Sequence, residues 1–134
     1  MQPGQEFAYV NNYLKHMDGI LEYEFRLEEY FNLKVIGLQS VLGNVSAVVI
    51  DDKSLSELPD FIQYTNSMFV VDSIEAVYEK AKQLGIPILQ PRTENIMGAQ
   101  GRLLLAPGYI IELAEATNES LFYPDARSLG YVEN

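Results

Sequence analysis

One order of elements is readable twice in this sequence, and such a repeat restricts the available folds more than any single motif does. The clearer copy lies in VDSIEAVYEKAKQLGIPIL, residues 71–89. Asp72 is a good N-cap, and Glu75 stands at the capping-box spacing from it. Ile74, Val77, Tyr78, Ala81 and Leu84 recur at helical intervals and so share one face. Gly85 ends the helix as a left-handed residue, and Pro87 prevents its resumption. SMFVV upstream and IPILQ downstream read as strands. GRLLLA, the turn Pro107-Gly108 and YIIELAE then form a hairpin.

In the earlier copy FAYVNNYL reads as a strand, Asp18 as a cap, and Ile20, Tyr23, Leu27, Tyr30 and Phe31 as the buried face of a helix. Asn32 supplies a left-handed exit, and LKVIGLQ and VSAVVI follow as strands divided by the turn Gly43-Asn44. Two units of one strand, one helix and about three strands thus lie roughly 55 residues apart, which suggests two halves around a pseudo-twofold axis. The expected fold class is α+β. Residues 1–134 form a single domain, with a first module at about 5–55, a second at about 62–116 and a tail at 117–134. The polar DDKSLSELPD gives the first module no clear fourth strand: an edge loop, a cropped strand and a mobile lid all fit it. The tail carries Leu121, Phe122, Tyr123, Leu129 and Tyr131 without periodicity, and is expected to pack across its own sheet or a partner subunit.

At 134 residues the chain is long enough to bury a core unaided. The absence of cysteine excludes disulfides, thiolate metal sites and a cysteine nucleophile. A formal charge of −10 argues against binding nucleic acid or an anionic membrane, since both need clustered Lys and Arg. The runs SAVVI and LLLAPGYII are too short to span a bilayer, and MQPGQEF lacks a signal peptide's basic start and apolar middle, so a cytoplasmic location is expected.

The second half resembles the C-terminal βαβββ module of the vicinal oxygen chelate superfamily, which includes glyoxalase, extradiol dioxygenase and bleomycin-resistance proteins. The resemblance rests on V-D-x-I opening the helix, L-G-[IV]-P closing it, a G-R strand and the P-G-x-x-I-E-L ending; MDGILEYEFRLEEYFNLKV matches the first module loosely. It implies paired modules forming an open, cup-shaped barrel, commonly completed in a homodimer. In metal-dependent members a divalent ion is held by residues from the first and last strand of each module, acting as a Lewis acid or a site for dioxygen. The Glu of P-G-x-x-I-E-L is one such ligand, and here it is Glu112. The other positions fall on Asn11, Asn66 and Ala47, where amides and a methyl group make poor ligands for a transition metal. His16, the one histidine, lies at the strand-to-helix junction and reads as a solvated or locally bonded side chain. No cofactor or metal is therefore expected.

Without a metal, the cup is a cavity for a small organic molecule. Alternation puts Tyr9, Asn11 and Tyr13 on one face of the first strand, Tyr64, Asn66 and Met68 on one face of the second module's opening strand, and Ile110, Glu112 and Ala114 on one face of the last. Such a lining suits a ligand with an aromatic part and a cationic or hydroxyl group. Counting across the Pro107-Gly108 turn places Leu103 or Leu104, rather than Arg102, opposite Glu112. The polar segment PRTENIMGAQG, residues 91–101, reads as a rim loop or a plain surface connection, which makes Arg92 and Met97 candidate ligand contacts. Two further readings stand beside sequestration of a small molecule: a lyase, isomerase or dioxygenase-type enzyme using Glu112 as general base or metal ligand, and a regulatory module whose cavity is filled.

Overall fold

FAYVNNYL is helical, not extended: in the computed structural model, which describes residues 1–131, α1 spans Glu6–His16. With a period of 3.6, Glu6, Val10, Tyr13 and Leu14 share a face, and Val10 is completely buried. Glu6 in the first turn and Lys15 and His16 in the last complement the helix dipole at both ends, a signal no strand needs. The helix expected over residues 20–31 is instead the strand β1, Ile20–Leu27, followed by a 3₁₀ turn at Glu28–Tyr30. Leu21, Tyr23, Phe25 and Leu27 alternate with Glu22, Glu24 and Arg26, and this two-residue period wins over the weaker helical one. Asp18 is not a cap but a left-handed residue, φ 48°, leading into β1. Asn32 does take the left-handed exit, φ 56°.

β1 pairs antiparallel with β2, Leu33–Ser40, which pairs with β3, Gly43–Val49, in the order β1-β2-β3. The reversal sits at Val41-Leu42, so Gly43, φ 97°, opens β3 rather than forming the turn with Asn44. A bulge at Glu22 shifts the register of β1, which puts Glu24 opposite Ile36 on the core side. That core gathers Val10, Leu21, Ile36, Leu38, Ala47 and Val49, and the tail's Tyr131 packs into it and donates its hydroxyl to Glu24 Oε1. Burial, reinforced by Glu24, pushes the Tyr131 phenol well above its ordinary pKa. Upstream in the tail Tyr123 N–H donates to Glu22 O at 2.6 Å, and Phe122 stands edge-on to Tyr23 at 6.0 Å. Residues 132–134 of the expected tail lie outside the described residues.

Buried Glu6 accepts from Lys34 Nζ at 2.9 Å. Burial alone would raise its pKa, but Lys34 and the amides of Gly4 and Glu6 outweigh it and hold the carboxyl below its usual range. The polar segment after Ile50 forms two short helices, α2 at Asp52–Glu57 and α3 at Asp60–Gln63.

The chain divides into two compact units, residues 1–56 with those from 120 onward, and residues 57–119. In the second, β4 (Thr65–Val70), α4 (Ile74–Leu84), β5 (Ile88–Glu94), β6 (Gly98–Ala106) and β7 (Tyr109–Ala116) give a four-stranded sheet ordered β4-β7-β6-β5. β4 runs parallel to β7 and the other pairs are antiparallel. It is an edge strand, exposed from Asn66 to Val70, with Phe69 54% and Val70 64% accessible. The cap of α4 is Ser73, not Asp72: Ser73 Oγ accepts from Ala76 N–H at 3.1 Å. Gly85 closes the helix at φ 71°, as expected. Both units therefore contain a helix followed by three antiparallel strands, but only the second has an opening strand before its helix. The chain is α+β with two sheets, the class expected.

α4 docks through Ile74, Tyr78 and Ala81 onto Ala99, Leu103 and Leu113. Tyr78 fits because Gly101 lies beneath it; a Cβ there would overlap its hydroxyl, which donates to Gln90 O at 2.6 Å. Residues 91–101 are not a long loop: β5 continues to Glu94, β6 begins at Gly98, and Asn95 Oδ1 accepts from the N–H groups of Met97 and Gly98 between them. Glu115 near the end of β7 ties this face together, accepting from Ile74 N–H at 2.7 Å and from Arg92 Nη2 at 2.9 Å. Arg92 and the helix amide hold its carboxyl below the ordinary 4.5. A depressed folded-state pKa stabilises above the unfolded value and is lost as pH falls through the folded one. Glu115→Gln should therefore lower the thermal midpoint at pH 7, with a deficit that shrinks as pH falls from about 5 toward 3, read by circular dichroism melts across that range.

Candidate functional site

With α4 on one face of the second sheet, the opposite face presents Gln100, Arg102 and Leu104 from β6 and Ile110, Glu112 and Ala114 from β7. The register puts Arg102 directly opposite Glu112, correcting the expectation of Leu103 or Leu104. The cause is a shift between Leu104 and Ala106 that leaves Leu105 unpaired and moves every later pair by one residue. Arg102 Nη2 donates to Glu112 Oε1 at 3.0 Å.

The guanidinium makes three further bonds to side-chain oxygens. Nε donates to Thr65 Oγ1 at 2.8 Å, and Nη1 donates to Gln90 Oε1 at 2.7 Å and Gln100 Oε1 at 2.9 Å. Each strand of the sheet thus supplies one oxygen: Thr65 from β4, Gln90 from β5, Gln100 from β6 and Glu112 from β7. Gln90, Gln100 and Arg102 are only 4%, 2% and 4% exposed, so this is an interior polar cluster and not a surface ion pair. Gln100 Nε2 is buried with no hydrogen-bond partner among the described residues. Burial raises the Glu112 pKa, and the positive charge of Arg102 counters that only in part.

Beside the cluster lies an open cleft of about 640 Å³ lined by Tyr64, Thr65, Asn66, Leu104, Gly108 and Ile110. Its lining holds no ionisable group except the Tyr64 phenol. Thr65 belongs to both features: its hydroxyl accepts from Arg102 and donates to Phe61 O at 2.8 Å while forming part of the cleft wall. Asn66 Oδ1 accepts from Ile110 N–H at 2.7 Å.

Of the residues singled out from sequence, Tyr64 and Asn66 line the cleft and Glu112 joins the cluster. Met68 pairs with Glu112 across β4 and β7 and is 38% exposed. Arg92 is engaged with Glu115 and Glu94, and Met97 is buried in the β5–β6 turn, its carbonyl accepting from Thr117 and Asn118 N–H. Tyr9, Asn11 and Tyr13 lie on α1, not on a strand, so they do not form one alternating face. Tyr9 and Tyr13 meet one helical turn apart, hydroxyls 3.3 Å from each other, and that contact with burial pushes the Tyr9 phenol up to about 12. His16 is exposed in the last turn of α1, and Ala47 is buried in β3. Sequence reading missed Gln90, Gln100 and Thr65; on β6 the signal was Gln100 and Arg102 two residues apart, between Ala99, Gly101 and Leu103.

The divalent ion implied by the resemblance does not fit these donors. Glu112 Oε1 is bound to Arg102, Asn66 Oδ1 to a backbone N–H, and Ala47 has no donor atom. Among the described residues no three His, Cys, Asp or Glu side chains come together as metal ligands. Nor, among them, is any helix long and apolar enough to cross a membrane.

No protein-family model matches the chain, and no curated protein matches it. Solved structures do. A hypothetical protein from Bacillus halodurans C-125 is 18% identical, with 76% of this chain and 79% of that one covered at a TM-score of 0.57. An uncharacterized protein from Methanosarcina mazei is 15% identical, with 74% and 71% covered at a TM-score of 0.52. This chain shares their fold. A glyoxylase/bleomycin resistance protein/dioxygenase domain from Frankia sp. EAN1pec is similar over 87% of this chain and 91% of that one, at 13% identity and a TM-score of 0.36.

Glu112→Gln keeps an oxygen for Arg102 Nη2 but leaves the buried guanidinium without its balancing charge, so it should lower the unfolding free energy by about 1 to 3 kcal/mol. Glu112→Leu leaves that donor unsatisfied and should cost about 2 to 4 kcal/mol, both values read from urea unfolding.

Proposed function

We propose that this chain is a vicinal-oxygen-chelate-type protein that binds a small organic molecule without a metal, in the cleft formed by Tyr64, Thr65, Asn66, Leu104, Gly108 and Ile110. The observation that carries this reading is that cleft, lined by the apolar Leu104 and Ile110 together with a phenol, a hydroxyl and an amide, a mixture typical of small-molecule sites. The charge pattern narrows the ligand. Glu112, the acid on this face, is neutralised by Arg102, so nothing in the cleft selects a cation, and a hydroxyl-bearing or amide-bearing neutral ligand fits better than a basic one. Tyr64 stacks the ligand's ring, and the Asn66 amide donates to its oxygen. The alternative, a lyase or isomerase with Glu112 as general base, draws support from the raised pKa of that residue.

A thermal-shift panel of phenol, benzamide, benzoate and benzylamine tests the reading. Phenol and benzamide should raise the midpoint and the two charged compounds should not, and Tyr64→Ala with Asn66→Ala should weaken the response about tenfold. Equal response to benzylamine would return the site to a cation binder.

The homodimer implied by the resemblance belongs to this reading, supported by the exposed apolar edge of β4 at Met68, Phe69 and Val70. Light scattering should give twice the chain mass, falling to the single mass on Phe69→Lys.

A further inference from the structure

A guanidinium bound by one oxygen from each strand of a sheet is arranged as a bound cation is arranged. We propose that the second sheet contains a built-in cation site whose occupant is the chain's own Arg102, and that the cage is specific for a planar guanidinium. Four observations carry this. The four acceptors, Thr65 Oγ1, Gln90 Oε1, Gln100 Oε1 and Glu112 Oε1, lie 2.7 to 3.0 Å from guanidinium nitrogens. They engage Nε, Nη1 and Nη2, so all three nitrogens of the fork are bound, a match to guanidinium geometry that a spherical ion does not require. One carboxylate balances one positive charge, leaving the site neutral. The amide oxygens of Gln90 and Gln100 both point at Nη1, which fixes their orientation and accounts for the unpartnered Nε2 of Gln100: turning that amide over would aim N–H at N–H.

The inference concerns what holds the sheet and does not depend on ligand binding in the neighbouring cleft. It implies that the oxygens left behind when the side chain is shortened form a receptor for free guanidinium ion. The same cage, already filled, has no place for a divalent ion in the intact protein. Arg102 is thus a positioning residue that holds Thr65 in the cleft wall.

Chemical rescue tests it. Arg102→Ala should melt lower than the intact protein, and guanidinium chloride at low millimolar concentration should restore about 3 °C of the loss relative to equal sodium chloride, in a saturable manner. Methylammonium should restore less, and adding Glu112→Gln to the variant should abolish the effect. The intact protein should show no such gain, and no midpoint shift with Mn²⁺, Ni²⁺ or Zn²⁺. If Arg102→Ala does not fold, Arg102→Met, which keeps the aliphatic stem, is titrated in the same way. A variant indifferent to guanidinium, or an intact protein stabilised by a divalent ion in a manner lost on Glu112→Gln, would overturn the proposal. The phenol and benzamide arms on intact protein report separately on the cleft, so each idea fails on its own measurement.

Discussion

Removing a guanidinium from water is costly unless nearly every donor finds an acceptor, and around Arg102 that requirement organises the whole second sheet. Four side chains on four strands converge on it, and two of those strands, β4 and β5, are the sheet's opposite edges. The oxygens can meet only if the strands pair in the observed register. A slip of β7 by one residue would turn Glu112 toward α4 and leave the Arg102 charge unbalanced. Apolar packing of Ile74, Tyr78 and Ala81 on the other face supplies most of the burial. The polar cluster adds discrimination between registers that apolar contacts tolerate more evenly.

The acidity of the chain does not reside in its interior. The acids Glu6, Glu112 and Glu115 are each matched to one cation, Lys34, Arg102 and Arg92, while half-buried Glu22 and Glu24 accept from the Gln39 amide and the Tyr131 hydroxyl. The excess charge sits on exposed residues such as Asp51, Asp52, Asp60, Glu75 and Glu79.

Legibility differed between the units for a physical reason. VDSIEAVYEKAKQLGIPIL carries cap, stripe and stop signals that agree, so its helix was readable within a residue; only the cap moved from Asp72 to Ser73. FAYVNNYL and ILEYEFRL each satisfy two periods at once, and their states are decided by end charges on α1 and by strand partners that lie far along the sequence. Glu112 was legible through the P-G-x-x-I-E-L ending, as a metal-ligand position. Its partner was missed because one extra residue at Leu105 shifts the pairing, and a bulge leaves no mark in a run of leucines. Tyr64, Asn66 and Met68 do not form the one strand face expected of them: Tyr64 caps α3 before β4 begins, and a register shift at Asn66 interrupts the alternation. Gln90 and Gln100 were not legible, since a glutamine on a strand reads as solvent-facing until something is found for it to bind.

The bond from Ile74 N–H to Glu115 also bears on the order in which this unit can fold. It joins the first turn of α4 to the last strand across 41 positions of the chain. The helix has its own Ser73 cap and can start early, but the Ile74 amide gains its partner only when β7 arrives. Completion of the helix therefore rests on a contact from far along the chain as well as on its own cap.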